Sequence, residues 1–294
     1  MGWTLRYTGH LGLRGPEAPL FRHSARSADP FDQIDRLADL GFAGVQDNYA
    51  AFRTPEEQAR VAAQAARHGL AMGSFVHDPA HWDQPCWSVE DAEARAALDA
   101  ALTHSLETAQ RIGATVITCV TGRDPHADLL RQRTAMAENL RRAGDRAARA
   151  GVKLCVEATA AAWLPGMLVD SLDTAIAIVR AADHPAVRLM FDTGHVAMDG
   201  ADILTAYRGA QGLIGAVQLA DMPRDGSVGR IDVGGGRTDW VPFLNAVRAD
   251  GYDGLFEIEH EPETDSAEGE ARLIARLAGV DRALSGTVGG NPGD

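Results

Sequence analysis

Short apolar runs alternate with longer amphipathic stretches along nearly the whole chain. Residues 4–8 predict a first strand, and a long loop through Gly15-Pro16 and Phe21-Arg22-His23 follows it. Asp29-Pro30 then opens a helix, the acid as its cap and the proline in its first turn, and Gly41 ends it. A second strand is expected over residues 43–47. Thr54-Pro55-Glu56-Glu57 starts another helix with a cap, a proline and early acids in place. The third strand, 71–76, runs into His77-Asp78-Pro79 and a loop carrying Trp82 and Trp87. A helix over 88–112 leads to a fourth strand at 115–120, and one over 126–150 closes at Gly151 before a fifth at 152–157. A helix over 171–182 precedes the run Val187-Arg188-Leu189-Met190-Phe191-Asp192, apolar but for Arg188 until its final acid, as suits a strand buried on both faces. A short helix, a seventh strand at 213–218, a helix at 240–250, an eighth strand at 254–259 and a last helix over 266–284 complete the pattern.

Eight strand–helix units with no antiparallel hairpin signal predict an α/β fold, a (β/α)8 TIM barrel forming one domain over residues 1–284. The structural rival is a doubly wound open sheet, which usually brings a glycine-rich first turn; none follows the first strand. Residues 285–294 are Gly-rich and expected to be a disordered tail.

Composition narrows the function. Asp and Glu number 41 against 28 Lys and Arg, a formal net charge of -13 that repels polyphosphates, so nucleic acid is not an expected partner. Cys86, Cys119 and Cys155 show no paired spacing, and the last two fall in apolar strand-like runs, which reads as buried thiols in a reducing compartment. No apolar run approaches membrane length. The expectation is a cytoplasmic protein that acts on a small molecule away from membranes, with homo-oligomer formation left open.

In a barrel, side chains at the strand C-termini converge on one mouth. Strand five ends in Glu157, six in Asp192, seven in Gln218 and eight in Glu259. Each could be a cap or a surface group on its own. Three carboxylates aimed into one cavity repel unless a cation lies between them, and an all-oxygen donor set suits Mg2+ or Mn2+ better than zinc. Glu257 points the same way as Glu259, one layer deeper, and Glu259 is preferred as the ligand because it lies nearer the mouth.

The second half resembles the hydroxypyruvate isomerase group of the xylose isomerase-like, AP endonuclease-type TIM barrels. The matching segments are Met136-Ala137-Glu138-Asn139-Leu140-Arg141, Leu154-Cys155-Val156-Glu157, Leu164-Pro165-Gly166, Phe191-Asp192-Thr193-Gly194-His195 and Val217-Gln218-Leu219-Ala220-Asp221-Met222-Pro223-Arg224. Gly251-Tyr252-Asp253-Gly254 and Ile258-Glu259-His260 with Pro262 complete them, and the first third matches only loosely. The resemblance implies that Glu157, Asp192, Gln218 and Glu259 bind one divalent metal. It implies too that Glu157 and Glu259 move the proton, and that His195 and Arg224 hold substrate oxygens. The reaction so implied is isomerisation of a small keto acid or sugar through an enediolate.

The pattern has departures. Ala160 stands where the group tends to have Asn, Glu261 where it tends to have Lys, and Gly234-Gly235-Gly236-Arg237 where its loop reads Gly-x-Gly-Glu. A lost Lys and a gained acid weaken the case for a small carboxylate substrate. Arg22, His23, His77, Arg123 and Arg237 could compensate or define another substrate. The alternatives are a ketose 3-epimerase or a polyol dehydratase on the same site, then an AP endonuclease-like phosphodiesterase or a sugar-binding protein without turnover.

Overall fold

The computed structural model describes residues 2–285; the tail from Gly286 onward lies outside the described residues, and Ser285 is the last residue of the final helix. Among the described residues nine parallel strands form one sheet. They are β1 (Tyr7–His10), β2 (Gly44–Gln46), β3 (Ala71–Met72), β4 (Phe75–Val76), β5 (Val116–Cys119), β6 (Lys153–Glu157), β7 (Val187–Asp192), β8 (Ile214–Leu219) and β9 (Phe256–Ile258). Their spatial order is β3-β2-β1-β9-β8-β7-β6-β5-β4. The two outermost members, β3 and β4, are halves of the stretch expected as one strand. Met72 pairs with Val45 of β2, and Phe75 pairs with Ile117 of β5. The sheet edges therefore meet at Gly73-Ser74, and eight staves curl into a TIM barrel.

The stave breaks there for a reason the local sequence does not carry. The Ser74 backbone N–H donates to Glu257 Oε1 (2.6 Å) and its hydroxyl to Glu257 Oε2 (2.5 Å), so a carboxylate from β9 takes the place of a ladder partner. A Cβ at position 73 would stand 2.7 Å from Glu257 Oε1, which is why a glycine precedes the serine.

Helices cover the outside: α1 (Pro30–Asp39), α2 (Pro55–Arg67), α3 (Ala92–Ile112), α4 (Leu129–Arg149), α5 (Leu172–Ala182), α6 (Thr193–Met198), α7 (Ile203–Ala210), α8 (Trp240–Ala249) and α9 (Ala267–Ser285). The caps read from sequence are present: Asp29 accepts from Phe31 N, and Thr54 and Glu57 form a reciprocal capping box. α3 begins four residues later than expected because Asp91 accepts from Ala94 N and so sets the first turn, while the Val89 carbonyl is taken by the Asn139 amide. The first strand begins at Tyr7 instead of residue 4, since the N–H groups of Thr4 and Leu5 bond to Asp281 on α9 and not to a neighbouring strand. Cys119 and Cys155 are buried free thiols, and Cys86 is half-buried. No helix among the described residues is long and apolar enough to cross a membrane.

The two-residue period of each strand sorts its side chains between the helix layer and the bore. Leu154, Val156, Leu189 and Phe191 join the large core beneath the helices. Cys155, Met190 and Ala216 form a separate small cluster. Two residues further along the same strands are Glu157, Asp192 and Gln218, facing the same way one layer nearer the mouth. Outside the barrel, Phe243 of α8 stacks on Phe191 (5.8 Å between ring centres) and meets Tyr207 and Trp240 edge-on. Phe243 is fully buried, so Phe243→Ala should cost about 3–5 kcal/mol of unfolding free energy, measured by urea denaturation.

Candidate active site

A cavity of about 870 Å³ opens at the C-terminal ends of the strands. Glu157, His195, Arg230 and Glu259 form part of its wall. Asp192 and Gln218 are buried at 2% and 1% exposure and do not belong to the wall. One ligand atom from each of Glu157, Asp192 and His195 lies within 4.8 Å of the others.

Asp192 uses its two oxygens differently. Oδ1 caps α6, accepting from Gly194 N (2.7 Å) and His195 N (3.1 Å), so the capping role weighed for it from sequence is real. Oδ2 accepts from Arg230 Nη2 at 2.7 Å. The cap fixes His195, whose Nδ1 accepts the Ala160 backbone N–H (3.0 Å) while Nε2 faces Glu157 Oε1 at 3.5 Å. Burial, reinforced by the Arg230 charge, lowers the His195 pKa to about 3, so the ring is neutral near pH 7.

Arg230 stands among the acids. Its Nη1 donates to the Glu259 carbonyl (2.9 Å) and lies 3.9 Å from Glu259 Oε1, and its side chain is only 10% exposed. Burial works against its charge, yet Asp192, Glu259 and Glu157 hold its pKa up. Burial also raises Glu157 well above the carboxylate range, with Asp192 and Glu259 adding to the shift. Glu259 is pushed up to about 7 by burial, against the pull of Arg230. Its carboxylate accepts from Gln46 Nε2 (2.9 Å) and Asn48 Nδ2 (3.3 Å).

The 220–238 loop carries Arg230, and a single buried carboxylate organises it. Asp221 accepts N–H bonds from Met222, Gly234, Gly236 and Thr238 and from the Trp240 indole. At Gly236 a Cβ would lie 2.2 Å from the Met222 carbonyl and 2.3 Å from Asp221 Oδ1, so only glycine fits that turn. A bridge between Asp221 and Ile231 then returns the chain beside the end of β8, with Arg230 adjoining it.

This geometry differs from the sequence expectation at Arg224. That residue is exposed and outside the cavity wall; the guanidinium beside His195 belongs to Arg230, six residues on. The Pro223–Gly226 turn puts residue 224 at the loop's outer bend. Gln46, Asn48 and Arg230 were not singled out from sequence. The first two sit at the end of β2 and just beyond it, where the strand-end rule applied to β6–β9 would have found them. Gln218 donates to Glu257 at a long 3.5 Å, and its buried Oε1 has no partner among the described residues. Burial pushes Glu257 up to about 7 against its bonds to Ser74; it lines a smaller cavity of about 240 Å³ with Arg6, Lys153 and other residues at or before the strand N-termini. Of the remaining possibilities, His77 is buried against Ser105 and Trp87, Arg22 and His23 pair with Asp265, and Arg237 is exposed and bonds the Ala197 carbonyl. Arg123 is exposed and outside the wall.

Comparison with known proteins bears on this arrangement. The model of the xylose isomerase-like TIM barrel family matches residues 34–277. A 2-oxo-tetronate isomerase of Cupriavidus necator is 24% identical over 267 residues, covering 90% of this chain and 95% of the relative. Among solved structures, a family 2 AP endonuclease from Brucella melitensis superposes with TM-score 0.76 at 18% identity, over 92% of this chain and 99% of that one. A D-psicose 3-epimerase from Clostridium cellulolyticum H10, solved with D-tagatose, gives 0.73 at 19% identity, over 97% and 99%.

The arginines separate by experiment. Arg230→Met should lower the stability of the metal-free protein by roughly 3–5 kcal/mol at pH 8, and by less at pH 5, where the Glu259 it abandons holds its proton. Arg224→Ala should change it by no more than about 0.5 kcal/mol at either pH. Urea titrations at the two pH values measure both.

Proposed function

The chain belongs to the xylose isomerase-like TIM barrel family, and we propose that it is a divalent-metal-dependent isomerase or epimerase of a small hydroxy-carbonyl compound, a sugar or a keto acid. The observation that carries this reading is the pair Glu157 and Glu259. Two acids from non-adjacent staves line one cavity, and both have pKa values raised from the usual carboxylate range. Acids whose hold on a proton is strengthened can return one to carbon as well as take one away. The likeness to a 2-oxo-tetronate isomerase and to a D-psicose 3-epimerase agrees with proton transfer between neighbouring carbons or across one carbon.

The residues fit a hard divalent cation. Glu157, Asp192, Gln218 and Glu259 would hold it, and the buried Gln218 Oε1, which has no partner among the described residues, is a free donor atom for it. His195 is close enough to join them. When bound, the ion supplies Lewis-acid polarisation of a chelated carbonyl and hydroxyl.

The chain's own groups do the rest. One of Glu157 and Glu259 removes the proton from the hydroxyl-bearing carbon next to the carbonyl, and the other returns it. Return to the adjacent carbon isomerises; return to the opposite face epimerises. Gln46 and Asn48 orient Glu259 by donating to both of its oxygens. Arg230, in the part the resemblance gave to Arg224, brings fixed positive charge to the enediolate, and neutral His195 holds a substrate oxygen.

Solvent-proton exchange tests the proposal. With Mn2+ and a panel of ketoses and hydroxypyruvate in D2O, the protein should place deuterium at the reacting carbon of at least one compound. Glu157→Gln and Glu259→Gln should each cut the rate at least about 10³-fold with far-ultraviolet circular dichroism unchanged. Wild-type rates in either variant would remove its proton-transfer role. Because Glu259 and Glu157 must both lose their protons to act as ligands, apparent Mn2+ affinity should rise at least about tenfold between pH 6 and pH 8, with proton release seen as buffer-dependent heat in calorimetry.

A further inference from the structure

The cavity is larger than the chemistry at its floor requires. Volumes of roughly 300–1,000 Å³ enclose ligands of drug size, so a keto acid of three or four carbons would leave most of these 870 Å³ to water. The space above the acids is walled largely by apolar and aromatic groups. Trp82 comes from the loop after β4, Trp163 from the loop after β6 and Tyr49 from the loop after β2, each half-buried, with Leu13, Pro79 and Ile231 between them. Such aromatic faces pack well on the C–H faces of a sugar ring.

Charge points the same way. Glu157, Glu259, Glu261 and Glu263 line the cavity against two guanidiniums, Arg14 and Arg230. Both guanidiniums are engaged. Arg230 bonds Asp192, and Arg14 Nε lies 3.0 Å from Glu261 Oε2 with its guanidinium 5.7 Å from the centre of the Trp163 ring. The two histidines of the wall are engaged as well, His195 Nδ1 by the Ala160 N–H and the His260 ring by the Val233 N–H and the Glu261 carbonyl. A carboxylate or phosphate on the outer part of a substrate would therefore meet acids and no uncommitted cation in the wall.

Taking the isomerase or epimerase reading as its premise, we infer that the cavity receives an uncharged keto sugar carrying a second ring or aglycone, and not a small keto acid. The hydroxy-carbonyl end lies at Glu157 and Glu259, and the distal ring lies on Trp82 and Trp163. The Arg14–Glu261 pair selects against acids by spending the outer cation.

Calorimetry on the Mn2+-loaded protein tests this with two unreactive probes, phenyl β-D-glucoside and D-glycerate. The glucoside should bind at least tenfold more tightly. Trp163→Ala and Trp82→Ala should each weaken it roughly tenfold, and Trp163→Phe, which keeps an aromatic face, should restore most of the loss. Glu261→Gln, by freeing Arg14, should strengthen glycerate binding several-fold. Glycerate binding as tight as the glucoside, or tryptophan variants without effect, would overturn the inference. Deuterium exchange separates it from its premise. Exchange into small keto acids alone sinks the inference and leaves an isomerase; glucoside binding as described, without exchange into any keto sugar or keto acid, supports the assignment of the cavity and sinks the isomerase.

Discussion

Like charges in a confined, poorly hydrated space are the constraint around which this barrel is arranged. Glu157, Asp192 and Glu259 project into one mouth because their strands run parallel and the period of two turns alternate residues inward. Their mutual repulsion is met in two ways within the structure. The guanidinium of Arg230 stands between Asp192 and Glu259, and burial keeps the protons of Glu157 and Glu259 on to higher pH. A site so balanced favours an incoming positive charge.

Holding a buried arginine at that point takes a rigid loop, and Asp221 provides one. Four backbone N–H groups and one indole converge on it, so a long connection behaves as a structured part of the wall. Asp192 plays a comparable double part on β7, one oxygen fixing the helix that carries His195 and the other gripping Arg230. The geometry of the cavity and the local folding thus rest on the same two carboxylates.

Much of this was legible in the residue order. Cap and glycine signals located most helices to within a few residues, and the run of strand-final acids located the mouth. What could not be read depended on contacts between distant segments. The break in the third stave arises from a β9 carboxylate bonding Ser74, which no pattern near residue 74 announces. Arg230 went unnoticed because the loop's path is set by Asp221 reaching residues 234–240, which leaves Arg224 exposed and brings a residue further along beside His195. Gln46 and Asn48 escaped notice because a single amide pair after a short strand carries little signal until Glu259 is seen beside it.

The aromatic groups over the mouth stand on connections after β2, β4 and β6, whereas the acids stand on or next to the strands themselves. Loops tolerate insertion and exchange that a barrel stave does not. Lineages sharing this scaffold can therefore change what the mouth admits by altering a few surface segments while the acids on the staves stay in place.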